Sequence, residues 1–172
     1  TVIPESQYAF KAYVNTLGRK GGEFGFYIDE YDSSDNWISG QYYPVNNLVV
    51  SYFSTIYTPT SSSVAKFKIQ TFFSATVAGQ IYVDNYQLYN LTHPQATNTP
   101  TPTPSISPTP TTTPTPTPGE SVNLVSNPSF EVLTDNWVQD WEKDSDSFSA
   151  NTTSQGDYGT NSLHLVSNVG SA

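Results

Sequence analysis

Between Thr97 and Pro118 the chain reads TNTPTPTPSISPTPTTTPTPTP, and no other stretch limits the possible folds so sharply. Threonine and proline alternate through most of it, with no charge, no aromatic ring and one aliphatic side chain, Ile106. Nine of the chain's 13 prolines fall between Pro94 and Pro118. Proline fixes φ at about −65° and donates no backbone hydrogen bond, which excludes a helix or a central strand. The expected state is an extended polyproline-II rod. At about 3.1 Å per residue, roughly 22 residues reach about 70 Å. The exposed hydroxyls also match an O-glycosylated stalk, with Thr99, Thr101, Thr103, Thr109, Thr111, Thr113, Thr115 and Thr117 as acceptors. Such a rod is expected to be held by its sugars or by neighbouring protein. It divides the chain into residues 1–93, a linker 94–118 and residues 119–172.

The 172 residues carry a formal net charge of −9 and contain no Cys and no Met. An acidic balance argues against nucleic acid, whose binding needs a basic surface. No apolar run approaches the ~20 residues of a spanning helix, so no membrane span is expected. Without cysteine, no disulfide staples the fold. Thr1 reads as an arbitrary cut, a mature N-terminus or a repeat boundary. The Thr/Pro rod, the scarcity of lysine and two sequons at Asn90-Leu-Thr92 and Asn151-Thr-Thr153 point to an extracellular or cell-surface glycoprotein. Charge is uneven: residues 1–93 sum to −2 and residues 119–172 to −7. The acids Asp135, Asp140, Glu142, Asp144 and Asp146 read most simply as a solvated loop.

Residues 1–93 alternate in the manner of strands. Tyr8–Val14 is aromatic and apolar, and Glu23–Tyr31 sets Phe24, Phe26 and Ile28 against Gly25, Tyr27 and Asp29. The Asp32–Asn36 cluster is a turn, from which Trp37–Tyr43 returns as a hairpin partner. Leu48–Tyr57, Val64–Phe73 and Gln80–Asn90 complete six expected strands, with no helical periodicity. Residues 119–172 offer the apolar run Val122–Val125 and strands at Ser147–Thr152 and Ser162–Ser167. That is too little to enclose a core alone. The fold class is all-β.

Catalytic chemistry finds little footing. No Cys nucleophile and no Gly-x-Ser-x-Gly elbow occur, and no glycine-rich phosphate loop or Cys/His metal box. The two histidines are His93, beside the linker, and His164, which reads as an ordinary strand residue within Leu-His-Leu. Asp29/Glu30 and Asp32/Asp35 sit at a strand end and a turn, where acids are commonplace. No enzymatic activity is expected.

Asn123-Leu-Val-Ser-Asn-Pro-Ser-Phe-Glu131, then Trp141, then Gly159-Thr-Asn-Ser-Leu163 resembles the opening of a galactose-binding-like jelly roll. This is the type found in carbohydrate-binding modules attached to xylanases and related polysaccharide-degrading enzymes. Tyr8–Val14, Tyr57-Thr-Pro59 and Ile81-Tyr-Val-Asp-Asn-Tyr-Gln-Leu88 resemble the middle and end of the same module. The end of the family pattern therefore comes first in this chain and its beginning last. Together the two pieces amount to one domain of ordinary size. The resemblance implies a jelly-roll sandwich in which residues 119–172 of one unit complete residues 1–93 of the next, head to tail. It implies a structural Ca²⁺ between Glu131 and Asp84, aided by backbone carbonyls near Gly159–Ser162. It also implies that Trp141 packs, and it raises sugar stacking by exposed aromatics, with Tyr27, Tyr31, Trp37, Tyr43, Tyr52 and Trp137 as candidates.

The expected function is a structural repeat or subunit of an extracellular glycosylated filament, its partners being copies of itself and its attached glycans. The alternative is a polysaccharide-binding module of a modular secreted enzyme. An adhesin repeat is a third reading.

Overall fold

The computed structural model describes residues 2–74, 79–92, 122–134, 137–142, 148–152 and 159–167. The linker and its eight candidate threonines lie outside these, as do the side chains of Trp137 and Asn151. The described residues form two antiparallel sheets packed face to face, a β-sandwich. No described helix is long and apolar enough to cross a membrane.

The six strands expected in residues 1–93 are all present. They are β1 (Tyr8–Asn15), β2 (Glu23–Tyr31), β3 (Trp37–Pro44), β4 (Val50–Tyr57), β5 (Lys66–Ser74) and β6 (Gly79–Asn90). Residues 122–167 add β7 (Leu133–Thr134), β8 (Trp137–Val138), β9 (Phe148–Thr152) and β10 (Leu163–Ser167). One sheet runs β4-β1-β6-β10-β9, the other β3-β2-β5, and β7 and β8 form a small ribbon. The run Val122–Val125 forms no ladder strand. It reaches β6 through one backbone bond, Leu124 N–H to the Leu88 carbonyl at 2.8 Å.

The alternation of β1 explains its place. Tyr8, Phe10, Ala12 and Val14 are buried, while Lys11 faces solvent. Across the sandwich, β2 answers with Phe24, Phe26 and Ile28. Phe10 meets Phe26 edge-on at 5.2 Å, and Tyr8 meets Phe67 of β5 at 5.1 Å. Edge-to-face aromatic pairs of this kind add about 0.5–1.5 kcal/mol each beyond area burial.

β6 is the centre of the larger sheet. The β1–β6 ladder slips between Lys11 and Tyr13, and Asn85 takes a left-handed φ of 48° there. This is a bulge, two residues of β6 facing one of β1. It shifts the inward phase of β6 from Ile81 and Val83 to Tyr86 and Leu88. On its far side β6 is covered by the C-terminal piece, with Leu163 opposite Val83 and Ser167 opposite Gly79. The later sequence thus supplies strands to the earlier sequence's sheet. Within this chain the contact is intramolecular, whereas the sequence reading places it between neighbouring units.

Candidate functional site

The seam along β6, where the two pieces meet, has the densest chemistry. Asn123 stands in for a missing strand. Its side-chain oxygen accepts the Leu88 N–H at 2.9 Å, and its amide nitrogen donates to the Tyr86 carbonyl at 2.9 Å. Further along, the Tyr86 N–H donates to the Pro128 carbonyl at 2.8 Å. The edge of β6 is therefore satisfied twice, by β10 along its first half and by residues 123–128 along its second.

Beneath the seam lies an aromatic cluster. Tyr86 is fully buried and touches Phe130 at 5.5 Å and Trp141 at 4.8 Å, and those two rings stand 5.0 Å apart. The Tyr86 hydroxyl bonds Thr71 of β5 in the opposite sheet. Burial pushes the ionisation of that hydroxyl far above the usual tyrosine range, so it stays neutral. Phe130 takes a φ of 58°, which turns its ring into the core. Trp141 packs against the core, and its indole N–H donates to the Asn127 carbonyl at 3.2 Å.

Glu131 holds the loop leading into β10. The Glu131 carboxylate accepts the Thr160 N–H at 3.0 Å, the Thr160 hydroxyl at 3.0 Å and the Asn161 N–H at 2.8 Å. Partial burial pushes this carboxyl up. The bonds from Asn161 and Thr160 outweigh that and leave it below the ordinary glutamate value. Gly159, at a φ of 74°, lets the loop lie this close, since a Cβ there would overlap the carboxylate. Asp84 is fully buried, and one of its oxygens accepts the Asn85 N–H at 2.6 Å. Continuing the β6–β10 register one step past Leu163 and Val83 brings Ser162 level with Asp84. Glu131 and residues 160–161 are thus brought together. The Glu131 oxygens, however, already accept N–H and O–H donors, and a Ca²⁺ ion would need those same oxygens. Among the described residues no group of three or more His, Cys, Asp and Glu comes together to hold a metal. The arrangement is that of a hydrogen-bonded clamp, and a cation there would have to displace the donors.

The sugar-stacking candidates divide between surfaces. Tyr27, Tyr31 and Trp37 lie on the outer face of the three-stranded sheet. Tyr27 lies tilted against Tyr42 at 4.8 Å, with Phe72 edge-on to both at 5.8 Å. The Tyr42 ring occupies the space that a side chain on Gly25 would fill. Lys68 sits over Tyr31 at 4.9 Å, and Trp37 is 62% exposed. Asp29, between these rings, is bonded by Trp37 and Gln70. Sequence reasoning missed Tyr42 and Phe72; their register opposite Tyr27 and Gly25 becomes visible only once the strands are paired. Among the described residues, the Tyr42 hydroxyl is a buried side-chain polar atom with no hydrogen-bond partner. Burial also pushes its ionisation upward.

Tyr43 faces inward opposite Phe26 and packs on the core. Tyr52 lies on the outer face of the other sheet, edge-on to Tyr13 at 5.8 Å, its hydroxyl bonded by Asn85 at 2.7 Å. With Lys11, Ser54 and Gln87 it lines a depression of about 430 Å³. Asn90 is buried at the end of β6, its oxygen accepting the Thr92 N–H at 2.9 Å. A glycan on Asn90 requires this amide to turn outward. His164 stacks on Tyr82 at 4.4 Å, beside Gln80, and burial lowers its pKa.

Comparison with protein-family models, with curated proteins and with solved structures finds no match.

Proposed function

We propose that this chain is a building unit of an extracellular, glycosylated filament, in which residues 119–172 of one copy complete the jelly-roll sandwich of the next. The observation that carries this reading is the geometry of the linker's attachments. Leu124 bonds Leu88, and the two segments run antiparallel. Thr92 and Val122 are then four and two residues past that bond, on the same side. They lie within about 25 Å of each other at full extension. The composition of the linker favours a semi-rigid rod of about 70 Å. To close one sandwich, that rod must fold back on itself; to join two, it can run straight. Exchange of an identical element between copies uses the same contacts either way, so linker stiffness tips the balance. A head-to-tail exchange of this kind is heterologous and propagates as an open filament.

Replacing residues 94–118 with a Gly/Ser segment of equal length tests the idea. The native chain should assemble into elongated particles in the electron microscope and sediment as a concentration-dependent series, and the Gly/Ser chain should remain monomeric. A native chain that stays monomeric at every concentration sinks the proposal. Structural calcium at Asp84 and Glu131 belongs to the same reading only where the ion displaces the donors on Glu131: added Ca²⁺ should then raise the melting temperature of the native chain but not of Asp84→Asn. No shift in the native chain would remove calcium from it.

One observation favours the second reading, a carbohydrate-binding module. The strip of Trp37, Asp29, Tyr27, Tyr42 and Phe72 combines aromatic faces with polar groups. Retention on a polysaccharide column that Trp37→Ala and Tyr27→Ala abolish would favour this reading over the filament.

A further inference from the structure

We infer that the open edge of β4 is a docking site for this chain's own linker, with Thr99–Ser105 added to the larger sheet as an edge strand. Among the described residues β4 ends that sheet and has one neighbour, β1. The two pair continuously from Tyr8 opposite Tyr57 to Asn15 opposite Val50, with no bulge. One step further on, the Thr16 N–H donates to the Val49 carbonyl at 2.9 Å. In an antiparallel ladder each residue aims its N–H and C=O to one side, and the side alternates along the strand. The odd-numbered residues of β4 therefore bond β1, and the even-numbered ones, Val50, Ser54 and Ile56 among them, aim at the open edge. Such an edge templates a further strand unless something blunts it. β5, an edge of the smaller sheet, carries Lys66 and Lys68. β3, the opposite edge, ends in Pro44 and shifts register beside Trp37. β9 is only five residues long. β4 has eight, with no charge, no proline and no glycine.

The phase of the prolines selects the occupant. All nine prolines between Pro94 and Pro118 stand at even-numbered positions, and every odd position from Thr97 to Thr117 is Thr or Ser. That phase survives two interruptions, Ser105-Ile106-Ser107 and Thr111-Thr112-Thr113. A polyproline-II helix has three residues per turn and would spread these prolines over every face. A strand has a period of two and puts every missing N–H on one side. Such a strand offers an uninterrupted row of Thr and Ser N–H groups to a neighbour and no proline there, which is the edge position open to proline. The residue before a proline already favours the extended region. Position agrees as well. Thr92 is held at the Tyr8 end of β1, where the Gln7 N–H donates to its hydroxyl at 2.9 Å, and β4 ends at the same place. From β6 to a strand beyond β4 is three strand spacings, about 14 Å. The segment from Thr92 to Thr99 covers up to about 23 Å. Turning back there, the linker runs antiparallel to β4, with Thr99 level with Ile56, Thr101 with Ser54 and Ser105 with Val50. The rest of the linker, roughly 55 Å at full extension, can then return to Leu88 of this copy or go on to a neighbour, so the inference holds with or without the filament. Pairing uses only backbone groups and leaves the threonine hydroxyls open to glycans.

Amide hydrogen exchange on the full-length chain reads this edge residue by residue. In the native chain the amides of Val50, Ser54 and Ile56 should be protected. Thr101→Pro together with Thr103→Pro removes two donors from the docking side, and exchange at those three amides should quicken by about tenfold or more. Ser51, Phe53 and Thr55, bonded to β1, should stay protected. Pro102→Thr together with Pro104→Thr alters only the side facing away and should leave both sets of amides unchanged. Fast exchange at Val50, Ser54 and Ile56 in the native chain overturns the inference. So does protection that persists in the Thr101→Pro, Thr103→Pro chain or grows with protein concentration, which would assign the edge to a second copy.

Discussion

Glu30 shows how far a single side chain can be committed to the fold. It is fully buried on β2, and among the described residues it forms no ion pair. Its oxygens accept the Ser39 hydroxyl at 2.6 Å, the Tyr57 hydroxyl at 2.5 Å, the Thr60 N–H at 2.7 Å and the Thr60 hydroxyl. Burial pushes its pKa up, but the bonds from Ser39, Thr60 and Tyr57 outweigh burial and hold it below the usual value of 4.5. The unfolded chain therefore takes up this proton at a higher pH than the folded chain does. Its stabilising effect is complete above the unfolded value and is lost as pH falls through the lower folded value. Glu30→Gln should lose about 1–3 kcal/mol at pH 7, since a neutral amide makes weaker bonds and orphans a hydroxyl. Melting temperature followed from pH 7 to pH 3 should show a shallower acid decline for the variant than for the native chain. Parallel declines would mean that Glu30 does not drive acid unfolding. In the sequence, Glu30 reads as an ordinary acid at a strand end. Its alternation with Phe24, Phe26 and Ile28 already faces it inward, but its four donors come from β3, β4 and the segment after β4.

At the scale of elements, the strands of residues 1–93 follow from local alternation, and their observed limits differ from the expected ones by at most two residues. The bulge in β6 is also written in the sequence, as a change of apolar phase from Ile81 and Val83 to Tyr86 and Leu88. What covers β6 is not written there, because contacts with residues 35 or more positions away leave no periodic trace. Asn123 carries that cover with a side chain instead of a strand. Asn123→Ala removes two bonds to the β6 backbone and should cost about 1–3 kcal/mol. Hydrogen exchange should quicken at Tyr86, Leu88 and along β10, while β2 and β5 stay protected. Uniform loss of protection would show that the seam is not a separable element. Glu131→Gln weakens the clamp on Thr160 and Asn161 and should loosen the entry to β10 in the same assay.

At the scale of the molecule, Tyr86 ties both sheets and both pieces of chain together through Phe10, Phe26, Phe130 and Trp141. Tyr86→Ala should cost about 3–5 kcal/mol, as large-to-small core changes do. Because the core is shared, the native chain should melt in one transition by both tryptophan fluorescence and far-ultraviolet dichroism. Two transitions would mean that residues 122–167 fold apart from the rest. Expressed alone, residues 1–93 should expose Tyr86 and the open edge of β6 and should aggregate.

By itself the sequence determined the all-β class, the six strands of the first piece and the inward faces of β1 and β2. Those depend on a period of two residues, which each strand carries within itself. Tertiary structure decided which strand lies beside β6, that Tyr43 turns inward while Tyr27 joins Tyr42 and Phe72 outside, and that Glu131 grips backbone amides. Those depend on register between distant segments, where a shift of one residue reverses every face, and only the packed sandwich fixes that register.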